Sequence, residues 1–218
     1  LYKYPFLIIS YIEGNNYNEC KENISKEQKQ KISYEIGKIT KKICSIKKDK
    51  FFIPAFPEKH FSNNYELVMF MFDIVLKIYQ NHHINIEGIT SKDIINLLKT
   101  KEKELKNINN ISLCNIDLWD GNILIKNGQI NGIIDFNDTF FCDELMSFYF
   151  HLLDRENDEY FLLGYDNKKL THDEIIRIEI YRLYSLLKII TDCEIKNYGR
   201  FSDIYTKFSK QYSRLLAI

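Results

Sequence analysis

Apolar residues return every three or four positions through long stretches of the chain. Ile32, Ile36, Ile39, Ile43 and Ile46 mark one face of a helix. Ser25 and Gln28 stand just ahead of it at capping-box spacing. Residues 65–80, "YELVMFMFDIVLKIYQ", are apolar nearly all round and predict a buried helix. Thr90 with Asp93 caps a helix over about 91–106, and Thr171 with Glu174 caps a long one reaching about 195. Phe201, Tyr205, Phe208, Tyr212 and Leu215 mark a last helix.

A different pattern fills the gaps. Residues 5–12, "PFLIISYI", are apolar on both faces and predict a buried strand, ended by Glu13-Gly14. The polar run "GNNYNECKEN" follows as a loop, and Pro54 and Pro57 mark 51–63 as another. Asn127-Gly128 is a turn signal, because a type I′ turn needs φ > 0 at both central positions. "NILIK" and "QINGIID" flank it and predict a hairpin. "DELMSFYFHLLDR" reads as a short helix. No repeat or low-complexity linker interrupts the chain. The expected class is α+β, mainly helical, with one strand at the start and a hairpin in the middle.

Composition narrows the partners. The 218 residues and 26.1 kDa suffice for a real core. Thirty basic residues balance thirty acidic ones, which argues against nucleic acid as the main partner but permits a small phosphorylated ligand. The five cysteines are odd in number and form no C-x-x-C pair, so reduced cytosolic thiols are expected. His82-His83 belongs to no metal-binding spacing, and the sequons at Asn23 and Asn110 are chance matches in an Asn-rich chain. No signal peptide or membrane-length apolar run occurs, so no membrane association is expected.

The hairpin carries the candidate chemistry. In "NIDLWDGNILI", residues 115–125, Asp117 and Asn122 stand five positions apart. With Lys126 facing Gln129, Asn122 would sit opposite Ile133, and Asp135 would lie two residues past that partner at the open end. Side chains so offset lie within roughly 7–8 Å. Mg²⁺ prefers oxygen ligands and takes one or two from protein beside phosphates. Asn122 and Asp135 could hold such an ion, and Asp117 could accept a proton from a substrate hydroxyl. The spacing is that of the D-x-x-x-x-N kinase catalytic loop, followed by a metal-binding Asp one strand on.

"CNIDLWDGNILI…INGIIDFNDTFFCDELMSF" resembles the aminoglycoside phosphotransferase and choline kinase family. The motifs of that family are H-G-D-L-x-x-x-N-[IV]-L, a G-[VI]-I-D-[FW] strand and a G-D-P-like segment. The resemblance implies that Asp117 is the catalytic base, that Asn122 and Asp135 are magnesium ligands, and that Asp143 is mostly structural. "PFLIISYIEG" resembles the strand and hinge between the two lobes of a protein-kinase-like fold, so the main chain at Ser10, Tyr11 and Ile12 would meet the base of ATP or GTP. The helix at 26–46 resembles the one after the hinge. Residues 1–14 would then be the last strand of the first lobe and the hinge, and 15–218 a helical C-terminal lobe with its catalytic loop and hairpin at 114–136.

Two positions depart from the pattern: Asn115 stands where the family has His, and Cys142 where it has Gly. The phosphate-covering loop and strand Lys of the first lobe have no counterpart in these residues. The expectation is a fragment or a trimmed product lacking the N-terminal lobe, which binds Mg-nucleotide weakly at best and is inactive alone. The acceptor would be a small hydroxylated molecule. A polycationic one would want carboxylates, for which Asp120, Asp138, Glu144, Asp154 and Glu156 are candidates. Trp119, the only Trp, could stack on a ring or plug the core; a choline-type acceptor would want an aromatic cage. The leading expectation is an antibiotic kinase. A choline or sugar kinase, or a kinase-like remnant that binds without transfer, stands beside it.

Overall fold

The helices form where periodicity and caps coincide. The computed structural model describes residues 9–108, 110–148, 158–198 and 202–218. In chain order its helices are α1 (Tyr17–Cys20), α2 (Lys26–Cys44), α3 (Asn64–Asn81), α4 (Ser91–Thr100), α5 (Glu102–Lys106), α6 (Asp158–Gly164), α7 (His172–Lys196) and α8 (Ser202–Ala217). All three capping boxes form, at Ser25, Thr90 and Thr171. At α2 the Gln28 amide donates to Ser25 Oγ at 3.3 Å while the Ser25 amide donates to Gln28 Oε1 at 3.1 Å. The helix expected over 91–106 is broken: α4 stops at Thr100 and α5 starts at Glu102. The Thr100 hydroxyl donates to the Leu97 carbonyl at 2.7 Å, a local bond that competes with helix continuation.

The Ile stripe of α2 is buried at Ile32 and Ile36, but Ile46 lies beyond the helix and is 51% exposed. Burial instead continues through Gly37, Thr40 and Cys44, where α6 crosses. A Cβ on Gly37 would overlap the Phe161 carbonyl oxygen, and one on Gly164 the Tyr34 carbonyl oxygen. The two backbones touch at glycines, and no side chain fits between them. Gly37→Ala is therefore expected to cost about 1–3 kcal/mol through overpacking. A urea titration reads this as a lower midpoint at unchanged slope; an unmoved midpoint would show that the crossing has room.

Strands form more often than the pattern suggested. β1 (Asn15–Asn16), β6 (Ile123–Lys126) and β7 (Gln129–Ile133) make one antiparallel sheet in the order β1-β6-β7. β2 (Lys47–Lys48), β3 (Phe51–Phe52), β4 (His60–Phe61), β5 (Ile111–Asn115) and β8 (Thr139–Asp143) make a second, in the order β2-β5-β8-β3-β4. The expected loop at 51–63 thus holds two short strands. Its aromatic residues decide this: Phe52 stacks on Phe141 with ring centroids 4.8 Å apart, and Phe51 pairs with Phe61. Pro54 and Pro57 fall in the connection, where no ladder donor is needed.

The start of the chain also differs from expectation. Residues 5–8 of the expected strand lie outside the described residues. Residues 9–14 form no strand, and Ile9 and Tyr11 are 76% and 87% exposed. A run apolar on both faces needs cover on both. Here Ile12 packs on Gly132 of β7, while Ile9 and Tyr11 stay largely exposed. Of the expected helix at "DELMSFYFHLLDR", the described part holds a 3₁₀ turn over Glu144–Ser147, and the residues from 149 to 155 lie outside the described residues. Phe201 does too, but Phe208 and Leu215 of α8 are buried as their spacing predicts.

The core lies between the five-stranded sheet and the helices. α2 packs on β5, and α3 on β3, β4, β8 and α7. The architecture is mixed α+β and mainly helical, with antiparallel sheets. Among the described residues, no helix is long and apolar enough to cross a membrane.

Candidate active site

The loop between β5 and β6 joins the two sheets, and three local devices shape it. Asn115 ends β5 opposite Thr139 and is 2% exposed. Its Oδ1 accepts the Asp117 amide at 3.0 Å, an Asx turn that bends the chain out of the strand. The Ile116 amide donates to the Asp138 carbonyl at 2.9 Å, tying the loop to the entry of β8. Asn122 closes the loop: its Nδ2 donates to the Asp117 carbonyl at 2.8 Å and to Asp117 Oδ2 at 2.9 Å. Both bonds use the Asn122 amide group and leave its Oδ1 for another partner.

Gly121 has a specific reason to be glycine. The Trp119 indole covers it so closely that a Cβ there would overlap the ring. Trp119 remains 40% exposed, so it is neither a core plug nor fully free. Asn16 braces the loop from β1 with its Nδ2 on the Gly121 carbonyl, and Lys21 pairs with Asp120 at 3.3 Å.

The hairpin turns at Asn127 and Gly128 with φ of 53° and 72°, as a type I′ turn requires. Its register departs from a regular ladder. Lys126 faces Gln129, but the pairing slips between Leu124 and Ile125, so Ile123 faces Ile133. Asn131 is the extra residue of this bulge, and its Nδ2 donates to the Glu13 carbonyl at 2.7 Å. Asn122 consequently meets Ile134, whose amide donates to the Asn122 carbonyl at 3.0 Å. Asp135 stands one residue past that partner, where a regular ladder would have put it two past. Asp135 takes a left-handed conformation, φ 60°, which Asp tolerates and most residues do not. Asn137 Nδ2 holds its Oδ1 at 2.8 Å.

The fold thus draws Asp117, Asn122, Asp135 and Asp138 around the ends of β5 and β6. Half-burial, chiefly, raises the Asp117 carboxyl above the ordinary range. The Asn122 bond opposes this, and the charges of Asp138 and Asp135 add to it, while Lys188 pulls the other way. Lys188 reaches in from α7 and pairs with Asp138 at 3.4 Å and Asp192 at 3.3 Å. Nothing in the sequence marked Lys188, since only the docking of α7 brings it here. Asn115 had a local signal, an Asn two residues before the key Asp.

Among the described residues, no three His, Cys, Asp or Glu side chains are placed to hold a metal ion. Asn122 Oδ1 and the Asp135 carboxylate are hard oxygen donors, two in number, which suits Mg²⁺ shared with phosphates and suits a softer, protein-caged metal poorly.

The other candidates are dispersed. Ser10 and Tyr11 are exposed beside the hairpin, and Ile12 lies on Gly132. Glu144 is at the far end of the β5–β8 pair, roughly 13 Å away by strand rise, and pairs with Lys168 at 3.3 Å. Asp154 and Glu156 lie outside the described residues. Asp143 is 3% exposed and binds Arg177 at 2.7 Å and the Tyr181 hydroxyl at 2.8 Å. Burial pushes its carboxyl up against the pull of both partners. The cysteines are all free thiols, with Cys44, Cys114 and Cys142 buried.

The chain's fold as a whole, with this loop and hairpin at its centre, is similar to that of known kinase structures. It is the fold of aminoglycoside phosphotransferases and fructosamine kinases. Gentamicin-bound APH(2")-IIa superposes with a TM-score of 0.59 at 17% identity, over 93% of this chain and 68% of that one. A putative fructosamine-3-kinase from Haemophilus somnus 129PT gives 0.67 at 16% identity, over 86% and 64%. APH(9)-Ia in complex with ADP and spectinomycin gives 0.56 at 16%, over 95% and 69%. The chain therefore spans about two thirds of the length of these structures. No protein-family model and no curated protein sequence matches it.

Proposed function

We propose that this chain is the C-terminal lobe of a small-molecule kinase, which transfers the γ-phosphoryl group of ATP or GTP to a hydroxyl of an aminoglycoside-like acceptor. The observation that carries this reading is the Asn122 lock on Asp117, which points one carboxylate oxygen at a fixed partner and leaves the other for a substrate. Asp117 is the base: half-buried and raised, it accepts the hydroxyl proton as the new P–O bond forms. Asn122 Oδ1 and Asp135 would hold Mg²⁺, which when bound neutralises phosphate charge. The main chain at Ser10–Ile12, which meets the hairpin at Gly132, would receive the nucleotide base. Residues 1–14 are read as hinge and 15–218 as the lobe. The phosphate-covering elements are assigned to a first lobe outside these residues.

For the acceptor, Trp119 offers an exposed ring, and Asp138 a carboxylate beside the base that is shared with Lys188 but more exposed than that of Asp120. Asp120 is occupied by Lys21, and Glu144 is remote. A kinase-like remnant that binds without transfer is the second reading, favoured by Asn115 standing where the resembling motif has His.

The test is transfer of labelled phosphate from ATP and GTP to a panel of aminoglycosides, fructosamines, choline and sugars, using the product of the whole reading frame. Label on one acceptor, lost on adding EDTA, is the expected result; a folded, nucleotide-binding protein that labels none would decide for the remnant. Asp135→Ala is expected to raise the Mg²⁺ concentration for half-maximal rate at least about 10-fold, the scale on which even outer-shell partners act. An unchanged Mg²⁺ requirement would remove Asp135 from the metal site.

A further inference from the structure

The Asn115 carboxamide is used only by half. Its Oδ1 accepts the Asp117 amide at 3.0 Å, while its Nδ2 is buried with no hydrogen-bond partner. A buried amide donor without an acceptor is disfavoured, and such exceptions in native structures call for a reason. Nothing about β5 itself requires Asn here: the neighbouring inward position, Cys114, is filled by a fully buried thiol. What the site needs at 115 is an acceptor two residues before Asp117, because Asp117 lies past the end of β5, where no ladder partner takes its amide. The Asp117 carbonyl and one carboxylate oxygen, Oδ2, are held by Asn122 at 2.8 Å and 2.9 Å. The two asparagines thus grip one residue from opposite ends of the loop.

We propose that Asn115 is a positioning residue for the base: its carboxamide oxygen sets the direction in which Asp117 leaves β5, and its amide nitrogen is dispensable. The role rests on the phosphotransferase reading for its kinetic consequence but not for its structural one. A misplacement of about 1 Å at a reacting group costs on the order of 100-fold in rate. Removing the acceptor therefore lowers kcat while leaving the nucleotide KM, set elsewhere, nearly unchanged. Replacing only the orphan donor does little harm, since nothing accepts from it.

Asn115→Ala, Asn115→Asp and Asn115→Ser separate the two halves of the side chain. Asp keeps shape and acceptor and, as the neutral acid that burial favours over a buried charge, replaces the NH₂ group by a single O–H. Ser offers a shorter, uncharged acceptor of the kind that makes the same turn more weakly. In the whole-frame product, Ala is expected to lower kcat about 10- to 100-fold with nucleotide KM within about 3-fold. Asp or Ser is expected to recover at least about 10-fold of that loss. Independently of activity, amide hydrogen exchange of the 218-residue chain reads the bond itself. The Asp117 amide is protected in the parent, Asp and Ser chains and exchanges at least about 10-fold faster in Ala, with the Leu113 and Cys114 amides unchanged as the control for folding. Equal exchange at Asp117 in the parent and Ala chains overturns the proposal, as does equal loss of kcat in Ala, Asp and Ser. If the parent transfers no phosphate, the phosphotransferase reading fails, and the exchange result still decides the role of Asn115.

Discussion

On the proposed reading, Asp117→Ala is expected to lower phosphoryl transfer roughly 10²- to 10⁴-fold, the usual contribution of a positioned general base. The expected loss is in kcat, because a base in this position would meet the acceptor proton only as the bond forms. On that reading, the neighbouring carboxylates are not expected to substitute. Asp138 is held by Lys188 at 3.4 Å, and Asp135 by Asn137 at 2.8 Å on one oxygen. Asp117 alone has its main chain fixed at both the amide and the carbonyl. Asp117→Asn separates charge from shape: it keeps a partner for Asn122 but cannot take a proton, and its loss should match that of Ala. The measurement is single-turnover transfer of labelled phosphate at saturating nucleotide. A variant retaining more than about a tenth of the rate would take the base role from Asp117.

Asp143→Ala is expected to destabilise the fold strongly, by about 3–5 kcal/mol. The carboxylate is 3% exposed and collects three donors: Arg177 Nε at 2.7 Å, the Tyr181 hydroxyl at 2.8 Å and the Leu145 amide at 3.3 Å. Asn64 extends the network, accepting from the Asp143 amide and donating to the Tyr181 oxygen at 2.9 Å. These bonds tie β8, α3 and α7 together. Deleting the carboxylate leaves the Arg177 guanidinium, whose side chain is 11% exposed, without its counter-charge. Thermal unfolding is expected to drop by roughly 6–20 °C. Adding Arg177→Leu should recover part of the loss, because removing both charges also removes their desolvation. A drop under about 2 °C would mean that the network adds nothing to stability.

Much of the site could be read in the chain because its devices are local. Caps act over three residues, so Ser25, Thr90 and Thr171 announced α2, α4 and α7 without help from tertiary structure. The Asn127-Gly128 turn acts over two, and the hairpin followed from it. The spacing of Asp117 and Asn122 is likewise confined to one loop, and the hydrogen bonds between them close within it.

Tertiary structure decided whatever depends on a partner far along the chain. Phe51 and Phe52 became strand residues because Phe61 and Phe141 came to meet them. The apolar residues 9–12 formed no buried strand, because burial belongs to the packing around a segment and not to its composition. Asn131 slipped the hairpin register by one when its side chain found the Glu13 carbonyl, 118 positions away, and so placed Asp135 relative to Asn122. Lys188 and Arg177 reached Asp138 and Asp143 only when α7 docked. Local hydrogen bonds need only the order of residues. Contacts between segments need the fold first, and it is those contacts that set the charge around Asp117.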